Sequence, residues 1–341
     1  MNATIISNNE KHYSVLLNEI LSIISPQNGG TFIDCTFGQG GYSNSILKFP
    51  KTKIIALDRD IECKKVADHV EKKNKDRFIF YNKKFSDIDR INHNNFQING
   101  IIFDLGYSYT QIKDPKKGLS FENTGQLNMR MGLNKFSASD VVNKLDQKDL
   151  ELIFKFFGEE QDSKRISKNI ILERVKGEID TQKLVKIINF SKRKKNRKIH
   201  NATKVFQALR IFVNKEISEL IYGLIKSVKI IDINGLILAV SFHSLEDKII
   251  KYFFKSLSEQ KKISRYYPEL SKEIKVLKLG TKKPILPSKE EIRKNKPSRS
   301  AKLRYATKIN HVENFEKEFI KRFEKLLEIE NLSEKLWKIF F

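Results

Sequence analysis

Short apolar runs alternate with amphipathic stretches over the first third of the chain. Thr31-Phe32-Ile33-Asp34-Cys35 is followed by a glycine turn, Thr36-Phe37-Gly38-Gln39-Gly40-Gly41, and then by an apolar-periodic helix from Tyr42 to Phe49. Lys53-Ile54-Ile55-Ala56-Leu57-Asp58 reads as a second buried strand feeding a polar helix to about Lys73. Arg77-Phe78-Ile79-Phe80-Tyr81 reads as a third strand and Gly100-Ile101-Ile102-Phe103-Asp104 as a fourth. Runs this short and this apolar, separated by helices, predict right-handed βαβ crossovers and a parallel sheet covered on both faces.

After Asp104 the alternation stops. Residues 115–213 are turn-rich and then helical, as in Asp149-Leu150-Glu151-Leu152-Ile153-Phe154-Lys155-Phe156-Phe157. One long helix is expected from Lys204 to Val228, then a strand over Gly235–Phe242 and a helix around Leu245–Leu257. The expectation is an α/β domain built from residues 1–114 and 214–341, interrupted by an inserted helical subdomain, 115–213, that suits RNA substrate binding. A Lys/Arg/Pro-rich stretch runs from Lys282 to Arg304. Amphipathic helical sequence closes the chain, and its apolar end, Leu336–Phe341, either caps the sheet domain or pairs two copies in a homodimer.

Charge adds a partner class. Sixty-five Lys and Arg stand against 41 Asp and Glu, a formal net charge of +24. A field of that sign attracts polyanions, although an AT-rich coding sequence also writes many Lys, Asn and Ile codons. Only Cys35 and Cys63 are present, without zinc spacing, so the expectation is two buried thiols and no metal. No window approaches the ~18 apolar residues of a membrane span, and the start of the chain lacks a signal-peptide layout, which points to the cytoplasm.

A glycine turn after the first strand, with an acidic residue ending the second, is the grammar of folds that bind adenosine at the carboxyl edge of a parallel sheet. Glycines let backbone approach the ligand, and Asp58, 20 residues after Gly38, can accept from both ribose hydroxyls. NAD and S-adenosylmethionine share that ribose. The loop is GxGG and lacks a third glycine at the dinucleotide spacing, which leans away from NAD.

Longer blocks carry a resemblance. His12-Tyr13-Ser14-Val15-Leu16-Leu17-Asn18-Glu19, Asp34 to Ser43, Asp104-Leu105-Gly106-Tyr107-Ser108-Tyr109-Thr110-Gln111, Leu127-Asn128-Met129-Arg130-Met131, Ala202 to Ile211, Ser241-Phe242-His243-Ser244-Leu245-Glu246-Asp247-Lys248 and Ser298 to Arg304 occur in order. Together they closely resemble the bacterial ribosomal RNA small subunit methyltransferase H family, which methylates cytosine N4 in the decoding region of 16S rRNA. The resemblance implies a Rossmann-like S-adenosylmethionine methyltransferase sheet with a helical insertion. It also implies cofactor contacts at Gly40, Gly41, Tyr42, Asp58, Phe85, Asp104 and Gln111. An ordinary core aromatic fills the position of Phe85 equally well. Tyr42, Asn128, Asn201 and Lys204 depart from the residues commoner in the family, which weakens substrate contacts in the insertion more than cofactor contacts.

Methyl transfer from such a cofactor is chiefly a matter of alignment, helped by an acceptor for the amino proton. Asp104 and His243 are the candidates, with a satisfied structural histidine as the alternative for the latter. Phosphate contacts to 16S rRNA or the small ribosomal subunit are expected from Lys192, Arg193, Lys194, Lys195, Arg197 and Lys198. Near the end of the chain Arg299 and Arg304 are candidates, with Arg293, Lys294, Lys296 and Lys302 beside them; such runs are often solvated faces. Two rivals remain. DNA amino-methyltransferases carry a Pro-Pro turn after the fourth strand, where this chain reads Asp104-Leu105-Gly106-Tyr107. A noncatalytic RNA-binding assembly factor on the same fold is the other.

Overall fold

The computed structural model describes residues 14–92, 96–107, 114, 117–121, 126–132, 134–193, 199–259, 275–311 and 313–340, with side chains as far as Leu336. Five strands run parallel: β1 (Gly30–Asp34), β2 (Thr52–Leu57), β3 (Phe78–Tyr81), β4 (Ile98–Asp104) and β5 (Leu236–Ser241). β6 (Leu277–Leu279) and β7 (Lys302–Lys308) complete the sheet in the order β3-β2-β1-β4-β5-β7-β6, with β7 antiparallel to both neighbours. The chain winds outward from β1 to β3 and resumes at β4 on the other side of β1. That reversal opens a crevice at the carboxyl ends of β1 and β4.

Alternate side chains of each strand serve opposite faces. Phe32, Ile54, Ala56, Ile102, Leu238 and Val240 pack with α1 (Leu17–Ile24), α2 (Gly41–Ile46) and α3 (Lys64–Lys73). Ile33, Ile55, Ile101, Phe103, Ile237 and Ala239 enter the second core. There they meet α4 (Ala138–Lys144), α5 (Gln147–Phe157), α6 (Ser163–Arg174), α7 (Thr181–Ser191), α8 (Thr203–Asn214), α9 (Glu216–Ile230) and α10 (Ser244–Ser258). The helices of residues 138–191 therefore share one continuous core with the sheet, through contacts such as Phe157–Phe212 at 6.5 Å and Phe136–Phe212 at 5.8 Å.

The long helix expected over 204–228 is two helices. Lys215 takes φ 51° and ends α8, its N–H bonding to the carbonyls of Ile211 and Phe212. The break frees Asn214, fully buried, to bind distant backbone. Its Nδ2 donates to Met129 O at 2.9 Å, and its Oδ1 accepts from Met131 N at 3.0 Å and from Asn134 Nδ2 at 2.6 Å. Its carbonyl accepts from Arg59, just past β2, at 2.9 Å.

The basic stretch 282–304 contains α11 (Lys289–Lys294) and leads into β7. The chain ends in α12 (Glu316–Asn331) and α13 (Ser333–Phe340). Phe319 and Phe323 of α12 pack on Tyr252 and Phe253, Leu336 is buried, and Lys335 reaches Asp149 of α5 at 2.6 Å. As far as Leu336 the tail therefore packs on its own chain.

Glu330 of α12 closes the start of α9, its two oxygens accepting from Ile217 N at 2.8 Å and Ser218 N at 3.0 Å. Burial pushes its carboxyl up to about 7. Glu330→Ala strands both N–H groups and is expected to lower stability by about 2–4 kcal/mol, while Glu330→Gln, which keeps one acceptor, loses less. Denaturant titration of the three proteins at pH 6 checks the ranking.

Candidate active site at the carboxyl edge of the sheet

The glycine turn after β1 is shaped by backbone that other residues resist. Gly40 has φ 74°, in the left-handed region, and a Cβ on Gly41 would meet Ser14 Oγ at 1.7 Å. Asp58, one residue beyond β2, braces this turn: its Oδ2 accepts from Gly38 N and its Oδ1 from Asp60 N, both at 2.8 Å. A carboxylate offers about four lone-pair sites, so these bonds leave capacity for a ligand hydroxyl. Lys117 covers the far side, bonding to Asp60 at 2.5 Å and Glu62 at 3.0 Å.

Two more carboxylates end the neighbouring strands. Asp34 closes β1, fully buried, accepting from Ser43 Oγ at 2.7 Å and Thr36 N at 3.3 Å. Asp104 closes β4; its backbone N–H donates to Thr36 Oγ1 at 2.8 Å, and its Oδ2 accepts from Tyr42 Oη at 3.2 Å. The single hydroxyl proton of Tyr42 is shared with the carbonyl of Val15, so this residue sits behind Asp104. Asp104 Oδ1 is buried and has no well-aligned hydrogen bond among the described residues, while the nearby Gly106 N–H lowers the carboxyl somewhat. Burial is the main reason that both acids are hard to ionise, and repulsion adds to it, from Asp58 at Asp34 and from Asp34 and Glu246 at Asp104, pushing Asp34 up to about 6 and Asp104 up to about 7. The carboxyl of Asp58 is raised as well, again chiefly by burial.

Phe85 is half-buried at the mouth of the same edge, its ring edge-on to Phe103 at 5.4 Å. It lies over Gly223 of α9, where a Cβ would approach the ring to 2.6 Å.

The turns after β4 and β5 are joined by a polar network. Tyr107 donates a short hydrogen bond to Glu216, and Arg210 grips the same carboxylate with two bonds, Nε to Oε1 at 3.1 Å and Nη2 to Oε2 at 2.9 Å. The guanidinium also lies 4.3 Å from the centre of the Tyr107 ring. His243 is the N-cap of α10 in a capping box with Glu246: its Nδ1 accepts from Glu246 N at 3.4 Å, and Glu246 Oε2 accepts from Phe242 N at 2.7 Å. His243 Nε2 lies 2.9 Å from Glu246 Oε1 but without hydrogen-bond alignment. Glu216, His243 and Glu246 bring ligand atoms within 4.8 Å of one another, a spacing that a metal could use. The Arg210 guanidinium already occupies both oxygens of Glu216.

The expected phosphate contacts divide. Lys192 is used internally, in a tight ion pair with buried Glu160, and Arg304 is bound to Asp247 at 2.7 Å, joining β7 to α10. Both meet a carboxylate of their own chain. Lys302 reaches Asp247 too, at 3.1 Å, and Lys204 donates to Glu159 O at 2.8 Å. Arg193 and Arg299 are exposed. Gln111, Lys194, Lys195, Arg197 and Lys198 lie outside the described residues.

Several site residues carried no assignment from sequence reasoning. Asp34 was visible as an acid ending an apolar strand, and Arg210 as a lone charge in the apolar run Val205–Val213. Glu216 and the Asn214 hub gave no signal, because they act across a helix break.

Comparison with known proteins agrees with this architecture. The profile of the MraW methylase family matches residues 9–309. Ribosomal RNA small subunit methyltransferase H of Rickettsia prowazekii (strain Madrid E) is 40% identical over 305 residues, covering 87% of this chain and 98% of that protein. The protein of the same name from Orientia tsutsugamushi (strain Boryong) is 39% identical over 310 residues, covering 89% and 99%. On that extent of match, the chain belongs to the MraW methylase family.

Proposed function

We propose that this protein transfers a methyl group from S-adenosylmethionine to N4 of a cytosine in the decoding region of 16S rRNA. The observation that carries the reading is the crevice between β1 and β4, where Asp34, Asp58 and Asp104 converge and Asp104 Oδ1 is left without a well-aligned partner among the described residues. Raised carboxyls that repel one another favour a cationic ligand. S-adenosylmethionine, with a sulfonium and an ammonium against one carboxylate, has that sign, whereas the pyrophosphate of NAD does not. Relatives near 40% identity named as small subunit rRNA methyltransferases support the substrate class, and the net charge of +24 suits a polyanion. The resemblance alone supports cytosine N4.

The residues present fit the cofactor. Asp58 would hold the ribose, Phe85 would offer its face to the adenine, and the Gly40–Gly41 turn would admit the ligand against backbone. When bound, the group supplies an activated methyl on sulfur. The chain supplies position. Asp104 Oδ1 accepts an N–H of the acceptor amine, fixes its orientation and takes the proton that methylation releases. Tyr42 holds the other oxygen of that carboxyl. We assign His243 to the cap of α10, where it steadies the turn after β5, and the Arg210–Glu216–Tyr107 network to the turn after β4. The helices of residues 138–191 are the proposed RNA-binding part. Reaching the methyl requires the target base to leave its stack, which an already looped strand makes less costly.

Incubating the full chain with methyl-labelled S-adenosylmethionine and unmodified small subunits should place label in N4-methylcytidine, and Asp58→Ala should abolish it. Label in another nucleoside would overturn the substrate, and no transfer to subunits or naked RNA would favour a noncatalytic assembly factor.

A second expectation follows from the raised carboxyls. Between pH 3.8 and about 7 the folded chain holds protons on Asp34 and Asp104 that the unfolded chain has released. Stability therefore falls as pH rises from 3.8, until about 6 for Asp34 and about 7 for Asp104, and levels off above. Asp104→Asn should flatten that decline, raise the melting midpoint at pH 8 by about 2–4 °C, and reduce methyl transfer at least 100-fold. Calorimetry of cofactor binding at pH 6.5 should register net proton release.

A further inference from the structure

The exposed faces of α6 and α7 carry a surface that the active site does not use. Residues 163–172 and 181–193 contain no Asp or Glu. Lys164, Arg165, Lys168 and Lys186 are exposed there, and none has an ion-pair partner among the described residues. Among these cations stands Phe190, 74% exposed, with the Arg165 guanidinium 6.0 Å from its ring centre. A solvated basic face has no need of a bare aromatic ring. The backbone beneath the ring is tied to α6, because Ser191 next to it accepts from Asn169 of α6 at 2.8 Å and donates to Ile187 O at 2.7 Å.

The surface continues toward the crevice. Asn201 donates to Asn189 of α7 at 2.9 Å, and His200 stacks on Phe121 at 4.3 Å with an interplanar angle of 8°. Both precede α8, whose 12 residues span about 18 Å. The far end of that helix carries Arg210 and Asn214, at the site.

We propose that this face is a docking platform for single-stranded RNA, with one base stacked on Phe190 and backbone phosphates drawn to the surrounding Lys and Arg. The inference rests on the RNA substrate proposed above and assigns to that substrate a second contact, a helix length from the reacting base. Aromatic stacking inside a cationic groove is how proteins hold unpaired strands without reading their sequence. The platform therefore engages nucleotides flanking the target and adds affinity more than selectivity.

The test is fluorescence anisotropy of a labelled single-stranded RNA of about ten nucleotides, alongside methyl transfer to unmodified small subunits, using the full chain. Phe190→Ala should weaken RNA binding about 5- to 100-fold, and Phe190→Trp should preserve it. Arg165→Glu with Lys168→Glu should lower affinity and flatten its salt dependence by about 0.7 for each phosphate that is no longer neutralised. Unchanged RNA affinity in Phe190→Ala, with the parent protein active, overturns the platform and leaves the proposed reaction standing. Weakened binding in Phe190→Ala, with no methyl transfer by the parent protein, supports the platform and overturns the reaction. Because Phe190 is exposed, neither substitution threatens the fold.

Discussion

Three carboxylates at the ends of adjacent parallel strands set the terms for this molecule. Asp34, Asp58 and Asp104 are drawn together by the register of β1 with β2 and β4, and burial makes each hard to ionise. Without donors such a cluster would be untenable. The chain provides them locally: backbone N–H groups of Thr36, Gly38 and Asp60, and the hydroxyls of Ser43 and Tyr42. The glycine turn is thus part of the electrostatic solution. Its left-handed residues aim an N–H at Asp58, and Asp104 Oδ1 is a buried acceptor without a well-aligned partner among the described residues.

The helical layer is tied to this edge rather than appended to it. The kink at Lys215 lets Asn214 hold Met129, Met131, Asn134 and Arg59 at once, so the loop after β2, the Met129–Met131 strip and the α8–α9 junction are joined through one side chain and its carbonyl. Two residues beyond the kink, at Ile217, Glu330 reaches the same junction from the tail. A displacement of the insertion is felt at the crevice through packed side chains and a few saturated polar groups.

Most of the sheet was legible in the sequence because strands buried on both faces must be apolar throughout, as in Ile54-Ile55-Ala56-Leu57. β7 was not, since its Lys302 and Arg304 reach Asp247 and disguise the strand as part of a basic linker. The split of α8 from α9 was equally hidden: Lys carries no turn signature, yet Lys215 takes a left-handed φ. In the site, the residues that the sequence placed at strand ends and the glycine turn, Gly40, Gly41, Asp58 and Asp104, lie together at the carboxyl edge of the sheet. Charge runs do not disclose which cation has a buried partner, as Lys192 does in Glu160. The Arg210–Glu216 pair stayed out of reach because its members meet only in three dimensions.

The order of strands also bears on how the chain is made. β7, last in sequence, separates β5 from β6, so β5 has no final neighbour until Lys302 has emerged, about sixty residues after Ser241. At ordinary rates of translation that interval is on the order of 3–12 s. Throughout it the nascent chain presents an apolar strand edge, Leu236–Ser241, with unpaired backbone groups open to any other strand. Completing the sheet is therefore a late, long-range event, and a ribosome stalled in this stretch would hold an aggregation-prone intermediate.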